Sequence, residues 1–119
     1  MQSYKDLVVW QKGIQLVSDV YRLTEKFPKQ EMFGLTSQMR RSAVSIPANI
    51  AEGYCRKHGP EYIQFLRIAF GSGAELETHF VIAEKLSFST STEMRSAKEL
   101  LDEIMRMLNK IISTLVMKT

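Results

Sequence analysis

Apolar and small residues recur in the third quarter of the chain at alternating spacings of four and three. The members of this line are Tyr62, Leu66, Ala69, Gly73, Leu76, Phe80 and Ala83. Such spacing places all of them on one face of an α-helix, as in the seams of packed helices. A second unbroken seam follows, made of Ala97, Leu101, Ile104, Leu108, Ile111 and Leu115. Since no stretch alternates with the two-residue period of a strand, the pattern favours an all-α fold.

Two earlier segments carry the same periodicity, so we predict one domain over residues 1–119 with four helices. Their approximate bounds are residues 4–26, 31–56, 61–86 and 92–117. Pro28 ends the first helix, and Pro60 suits the first turn of the third. Because the connections are short, sequential helices should be antiparallel neighbours in an up-down-up-down four-helix bundle.

Pro47 lies inside the second predicted helix. It removes the hydrogen bond to the carbonyl of Ala43, which costs on the order of 3 kcal/mol in an isolated helix. The apolar spacing continues across it through Ile46 and Ile50. We therefore predict one helix kinked near Pro47, and two shorter helices that meet at Ile46 are the alternative.

The small cluster Gly71-Ser72-Gly73-Ala74 is intrinsically poor for a helix. Close approach of a neighbouring helix explains it best. The helices also carry more apolar residues than one bundle needs to bury, and large exposed apolar patches tend to be interfaces. We predict a homo-oligomer, with a monomer that has scattered apolar surface residues as the alternative.

A single cysteine, Cys55, rules out an intrachain disulfide and a cysteine-rich metal site. A reducing, cytoplasmic compartment is the simplest interpretation. We expect no signal peptide, because the N-terminal stretch has acidic Asp6 and no small-residue cleavage site. We also expect no membrane contact, since no apolar run approaches the ~18 residues that span a bilayer.

Charge is distributed unevenly in a chain whose net charge is +3. Residues 1–57 carry nine basic and five acidic side chains, whereas residues 58–119 carry seven and eight. Basic residues gather near the second helix, with Tyr54 and Tyr62 close by in sequence. They are Lys29, Arg40, Arg41, Arg56, Lys57 and Arg67. A basic surface with aromatics can hold phosphates and stack bases, so we hypothesise a nucleic-acid contact. An ordinary solvated face is the alternative.

A line of polar residues runs beside the apolar side of the second helix. It consists of Gln38, Arg41, Ser45, Asn49 and Glu52, and it could reach Glu75 and Glu77 on the third helix. We interpret these seven residues as a structural polar network that fixes helix register. A ligand or nucleic-acid contact, and a catalytic use of Glu52, are the alternatives.

No catalytic, cofactor or metal site is predicted. The two histidines, His58 and His79, do not form the repeated Glu-x-x-His pattern of di-metal bundles. No phosphate-binding loop, nucleophile elbow or H-E-x-x-H motif occurs. Cys55 has no obvious base partner, so we interpret it as an inert thiol.

The segment FPKQEMFGLTSQMRRSAVSIPANIAEG, residues 27–53, resembles the hallmark of a bacterial four-helix-bundle family. DLVVWQK at residues 6–12 and EYIQFLRIAFGSGAELETHF at residues 61–80 resemble it too. The family includes proteins encoded by intervening sequences within large-subunit ribosomal RNA genes. It also includes the accessory variability determinant of diversity-generating retroelements.

The resemblance implies an antiparallel bundle that assembles as a homopentamer around a central channel. Its retroelement branch binds nucleic acid and a reverse transcriptase through a basic surface. Carried onto this chain, the motif picks out Arg40, Arg41, Asn49, Glu52 and Gly53. We therefore expect a non-enzymatic oligomeric protein that contacts RNA or DNA, or a nucleic-acid enzyme. A protein-binding scaffold without a nucleic-acid role is the alternative.

Overall fold

Four long helices make up most of the computed structural model, which describes residues 3–118. They are α1 (Val8–Thr24), α2 (Leu35–Arg56), α3 (Gly59–Lys85) and α4 (Ser91–Lys118). Two short 3-10 helices, Tyr4–Asp6 and Lys29–Glu31, precede α1 and α2. Residues 3–118 contain no β-strand. The predicted all-α fold of four helices is confirmed.

The first and second helices begin later than predicted, because local backbone geometry interrupts each start. Ser3 and Asp6 form a reciprocal capping box on the 3-10 helix, and Leu7 then adopts extended backbone (φ −73°, ψ 124°). Gly34, with φ −115° and ψ −115°, separates the second 3-10 helix from α2. The ends of α3 and α4 lie within about two residues of the predicted bounds.

Helix α2 runs without a break through Pro47, which excludes two separate helices that meet at Ile46. The ring of Pro47 packs against Gly13 of α1, where an added Cβ would lie 3.2 Å from the Cβ of Pro47. The missing side chain therefore allows α1 to approach the turn of α2 that contains Pro47. The kink itself stays a prediction.

Each helix packs against two others. Helix α1 contacts α2 and α4, and α3 contacts the same two helices. Gly13 meets Pro47, whereas Thr24 at the end of α1 meets Arg40 near the start of α2. These two contacts concern α1 and α2 alone, and the antiparallel order of all four helices stays a prediction. The resulting body measures 45 × 20 × 20 Å.

The predicted seam of α3 lies in the core. Leu66, Ala69, Leu76, Phe80 and Ala83 are buried, as are Leu101, Ile104 and Leu108 of α4. Burial of such stripes is the main source of stability in a bundle.

The small cluster in α3 is explained by close packing at two of its members. Gly73 lies against the side chains of Met105 and Leu101 in α4, and Ser72 meets Ser45 of α2. Gly71 differs, because nothing lies within 4 Å of a Cβ added there. The close-approach interpretation is therefore wrong for Gly71 within this chain.

Candidate partner-binding surfaces

The turn that leads into α2 projects Phe33 into solvent. Its side chain is 98% exposed, although a phenylalanine gains about 2 kcal/mol or more by burial. Beside it lies a groove of about 400 Å³. The groove is lined by Tyr21, Met32, Phe33, Ser37, Arg40, Arg41 and Val44, and we call this region the Phe33 corner. Phe33 was not predicted as a functional residue from the sequence, where its signal is an aromatic residue in a turn directly before a glycine.

Arg40 is held in a fixed position at this corner. Its Nε donates to the hydroxyl of Thr24 at 2.9 Å, and its guanidinium carbon lies 4.4 Å from the centre of the Tyr21 ring. Thr24 in turn donates to the carbonyl of Val20 at 2.8 Å. Neither Arg40 nor the exposed Arg41 forms an ion pair with a carboxylate among residues 3–118. The corner therefore presents an uncompensated positive charge next to exposed aromatic rings.

A second basic group lies at the turn between α2 and α3. Arg56 pairs with Glu52 at 3.0 Å and with Glu61 at 3.8 Å, and its guanidinium lies 5.1 Å from the Phe65 ring. Its charge is therefore largely compensated. Lys57 follows in left-handed geometry (φ 54°) and is exposed.

The six basic residues of the nucleic-acid hypothesis do not form one patch. Arg40 and Arg56 are sixteen residues apart on a single helix, which separates them by roughly 24 Å along its axis. Lys29 lies in the 3-10 helix before the Phe33 corner, and Arg67 is exposed on α3. Two distinct basic regions therefore replace the single face expected from sequence.

The polar line on α2 forms a smaller cluster than the predicted network. Asn49 Nδ2 donates to the carbonyl and hydroxyl oxygens of Ser45 at 2.8 and 2.9 Å, and the Ser45 hydroxyl lies 2.8 Å from that of Ser72. This half-buried cluster joins α2 to α3 and is suited to fixing their register. The remaining members are all exposed outside it: Gln38, Arg41, Glu52, Glu75 and Glu77.

A buried histidine lies on the same interface, next to a serine of α2 that was not predicted as its partner. His79 Nδ1 is 3.3 Å from the Ser42 hydroxyl, and its Nε2 is 4.0 Å from a carboxylate oxygen of Glu75. Burial lowers the pKa of His79, and the negative charge of Glu75 partly opposes that effect. Ser42 is itself buried, and its hydroxyl bonds the carbonyl of Met39. A substrate therefore cannot reach this serine in the folded bundle.

Two further concave regions lie on other faces. An apolar surface groove of about 270 Å³ runs along the contact between α1 and α2. It is lined by Tyr4, Trp10, Ile14, Val17, Val44, Pro47, Ala48 and Ala51. A pocket of about 390 Å³ lies between α3 and α4, which we call the α3–α4 pocket. Its lining consists of Glu77, Phe80, Val81, Lys98 and Leu101.

The described residues also bear on metal and membrane sites. Among residues 3–118, no group of three or more histidine, cysteine, aspartate or glutamate side chains is placed to hold a metal ion. Cys55 is a free, exposed thiol. Within the same range, no helix combines the length and apolar character that crossing a bilayer requires.

The four long helices, with their surface grooves and exposed apolar faces, place this chain in the class of helical-bundle proteins. The family model described as 23S rRNA-intervening sequence protein matches residues 5–110, so this chain belongs to that family. This confirms the resemblance found in its motifs.

A solved structure shows the same fold. It is a protein with unknown function from the S23 ribosomal protein family, from Bacteroides thetaiotaomicron VPI-5482. It is 26% identical, covers 88% of this chain and 98% of its own, and superposes with a TM-score of 0.79. No curated protein shows significant similarity to the chain.

Proposed function

We propose that this protein is a non-enzymatic bundle that assembles with copies of itself and contacts RNA or DNA, or an enzyme that acts on them. The observation that carries the proposal is the apolar surface left open along α1, α2 and the turn that leads into α2. Val8, Ile14, Met32, Phe33 and Val44 are all more than 40% exposed there. Water contact with so many large apolar groups is costly, and covering them by another subunit removes the cost. The pentameric number is supported by the family resemblance.

The assembly is tested by sedimentation equilibrium at micromolar concentration. A pentamer has five times the chain mass of 13.7 kDa. Ile14→Glu places a charge in the α1–α2 groove and should shift the mass towards the monomer. Ser96→Glu, at an exposed position of α4, is the matched control and should leave the mass unchanged. A monomeric wild-type protein would contradict self-assembly.

Nucleic-acid contact is supported best at the turn between α2 and α3. Lys57 is exposed in that turn, and Arg67 is exposed on α3, roughly 12 Å along the helix from its start. Neither forms an ion pair within the described part of the chain. The Tyr54 and Tyr62 rings lie nearby, with centroids 6.1 Å apart in an edge-to-face arrangement. Uncompensated cations beside aromatic rings suit phosphate contact and base stacking. Oligomerisation repeats this region in every subunit, which strengthens the attraction of a polyanion.

The contact is tested by anisotropy of a labelled single-stranded RNA at about 50 and 200 mM salt. We expect binding that weakens with salt. The double variant Lys57→Glu and Arg67→Glu should bind at least tenfold more weakly, with a salt slope that is shallower by about 1.4, because each lost contact to a single strand removes about 0.7. The control Arg95→Glu with Lys110→Glu makes the same charge change on α4 and should bind like wild type. Absence of binding at low salt would refute this part of the proposal.

A scaffold that binds only proteins is the second candidate. The observation that favours it is compensation of Arg56 by Glu52 and Glu61, which removes one cation from the basic region. It predicts that partners captured from a lysate are unchanged by nuclease treatment. Loss of those partners on nuclease treatment would favour the nucleic-acid role.

A further inference from the structure

The Phe33 corner carries an exposed apolar side chain, and the α3–α4 pocket offers an apolar cavity. Phe33 is an apolar knob that is 98% exposed and contributes nothing to the core of its own chain. The pocket, of about 390 Å³, has room for a phenyl ring and is floored by Phe80 and Leu101. Val81 at its edge is 52% exposed, which leaves apolar surface for an incoming ring.

The charges beside the two regions are also complementary. Arg41 lines the Phe33 corner, where it has no carboxylate partner among residues 3–118. At the pocket, Lys98 is paired with Glu84 at 3.6 Å. Glu77 also lines the pocket and forms no ion pair within that range. A positive knob therefore matches a pocket whose uncompensated charge is negative.

Both regions lie in the same half of the bundle. Ser42 of α2 contacts His79 of α3, so residues 77–81 of the pocket lie level with residues close to Arg41. Two copies can therefore meet side by side with their long axes roughly parallel. The Phe33 corner belongs to α1 and α2, and the pocket belongs to α3 and α4. The contact therefore joins two different faces of the bundle. Such head-to-tail contacts form closed rings when the rotation between copies closes, whereas contact of like faces stops at a dimer.

We propose that Phe33 of one copy inserts into the α3–α4 pocket of a second copy, with Arg41 of the first facing Glu77 of the second. This inference rests on the self-assembly proposed above and assigns its contact residues. It explains why a phenylalanine is held in solvent next to an unpaired arginine. It also gives each copy one donor face and one acceptor face, which a ring with an odd number of subunits requires.

Sedimentation equilibrium tests the role of Phe33. At about 10 μM, specific oligomers with nanomolar to micromolar affinity persist. Phe33→Ala should shift the protein to the 13.7 kDa monomer and raise the dissociation concentration at least 100-fold. Met117→Ala truncates another highly exposed apolar side chain and should leave the mass unchanged. Val81→Trp, which fills the pocket from its exposed edge, should dissociate the oligomer as Phe33→Ala does. Helical circular dichroism should be unchanged in all three variants.

Charge reversal tests the pairing of the two faces. Arg41→Glu and Glu77→Arg should each weaken assembly about tenfold or more, and the double variant should recover most of the loss. Both singles weakening assembly without recovery in the double would overturn the pairing. If neither Phe33→Ala nor Val81→Trp changed the mass of the oligomer, the proposed contact would be overturned, whereas self-assembly would stand. A monomeric wild-type protein would instead refute the self-assembly on which the contact rests.

Discussion

His79 is buried between α2 and α3, with 5% of its surface exposed. Burial lowers its pKa below the ordinary value of 6.5, so the folded chain favours the neutral ring. As the pH decreases below 6.5, the histidine of the unfolded chain becomes protonated while that of the folded chain stays neutral. The free energy of unfolding therefore decreases until the pH falls below the folded-state pKa. We expect a lower urea midpoint at pH 5.5 than at pH 7.5.

Variants of the two histidines identify the group responsible for this pH dependence. His79→Gln should flatten the difference between the two pH values, even if it lowers stability at both. His58→Gln, at the exposed turn histidine, should keep the wild-type difference. Glu93, whose pKa is lowered chiefly by the backbone amide of Thr90, matters only at more acidic pH. A pH difference that survives His79→Gln would contradict the assignment.

Thr36 and Thr24 are both buried threonines, but their hydroxyl groups differ in bonding. The Thr36 hydroxyl has no hydrogen-bond partner in the described part of the chain, whereas that of Thr24 bonds Val20 and Arg40. An unsatisfied buried hydroxyl costs about 1–3 kcal/mol. Thr36→Val should therefore raise the free energy of unfolding by about 1 kcal/mol, and Thr24→Val should lower it by about 1–2 kcal/mol. Urea unfolding measures both, and equal signs would contradict the distinction.

At the scale of helices, two glycines predict opposite effects of the same substitution. Nothing lies within 4 Å of a Cβ at Gly71, whereas a Cβ at Gly53 would lie 2.7 Å from the Cβ of Phe65. Gly71→Ala should stabilise α3 by up to about 1 kcal/mol, the difference in helix propensity. Gly53→Ala should destabilise the α2–α3 pair by about 1–2 kcal/mol, because a Cβ anchored to the backbone cannot move aside. Denaturant midpoints measured at one protein concentration test both signs.

The sequence predicted the four helices because a buried stripe repeats with the period of the helix, as Leu66 to Ala83 shows. The starts of α1 and α2 were predicted too early, because the residues that delay them act only on the backbone next to them. Ser3 and Asp6 cap a 3-10 turn instead of α1. Gly34 likewise delays α2 through its own backbone geometry.

The candidate surfaces were predicted less well, because they depend on how neighbouring helices are aligned. Ser45 meets Ser72, and Ser42 meets His79, only through the relative height of α2 and α3. Nearness in sequence also suggested one basic face, whereas the length of α2 separates Arg40 from Arg56. The exposure of Phe33 depends on the turn before α2, and hydrophobicity alone argues for the opposite.

A small bundle that leaves large apolar groups in water should gain stability when other copies cover them. If copies bind one another only when folded, the melting temperature must rise with protein concentration. Each tenfold dilution of such an oligomer costs on the order of 1 kcal/mol per chain, since a tenfold change in an equilibrium corresponds to about 1.4 kcal/mol. For a bundle of this size, that corresponds to a shift of roughly 4–8 °C. Between about 1 and 100 μM, which are two tenfold steps apart, we expect the melting temperature of wild type to rise by about twice this amount, whereas Phe33→Ala should melt at one temperature throughout. A concentration-independent wild type would mean that the exposed apolar faces contribute nothing to stability through assembly.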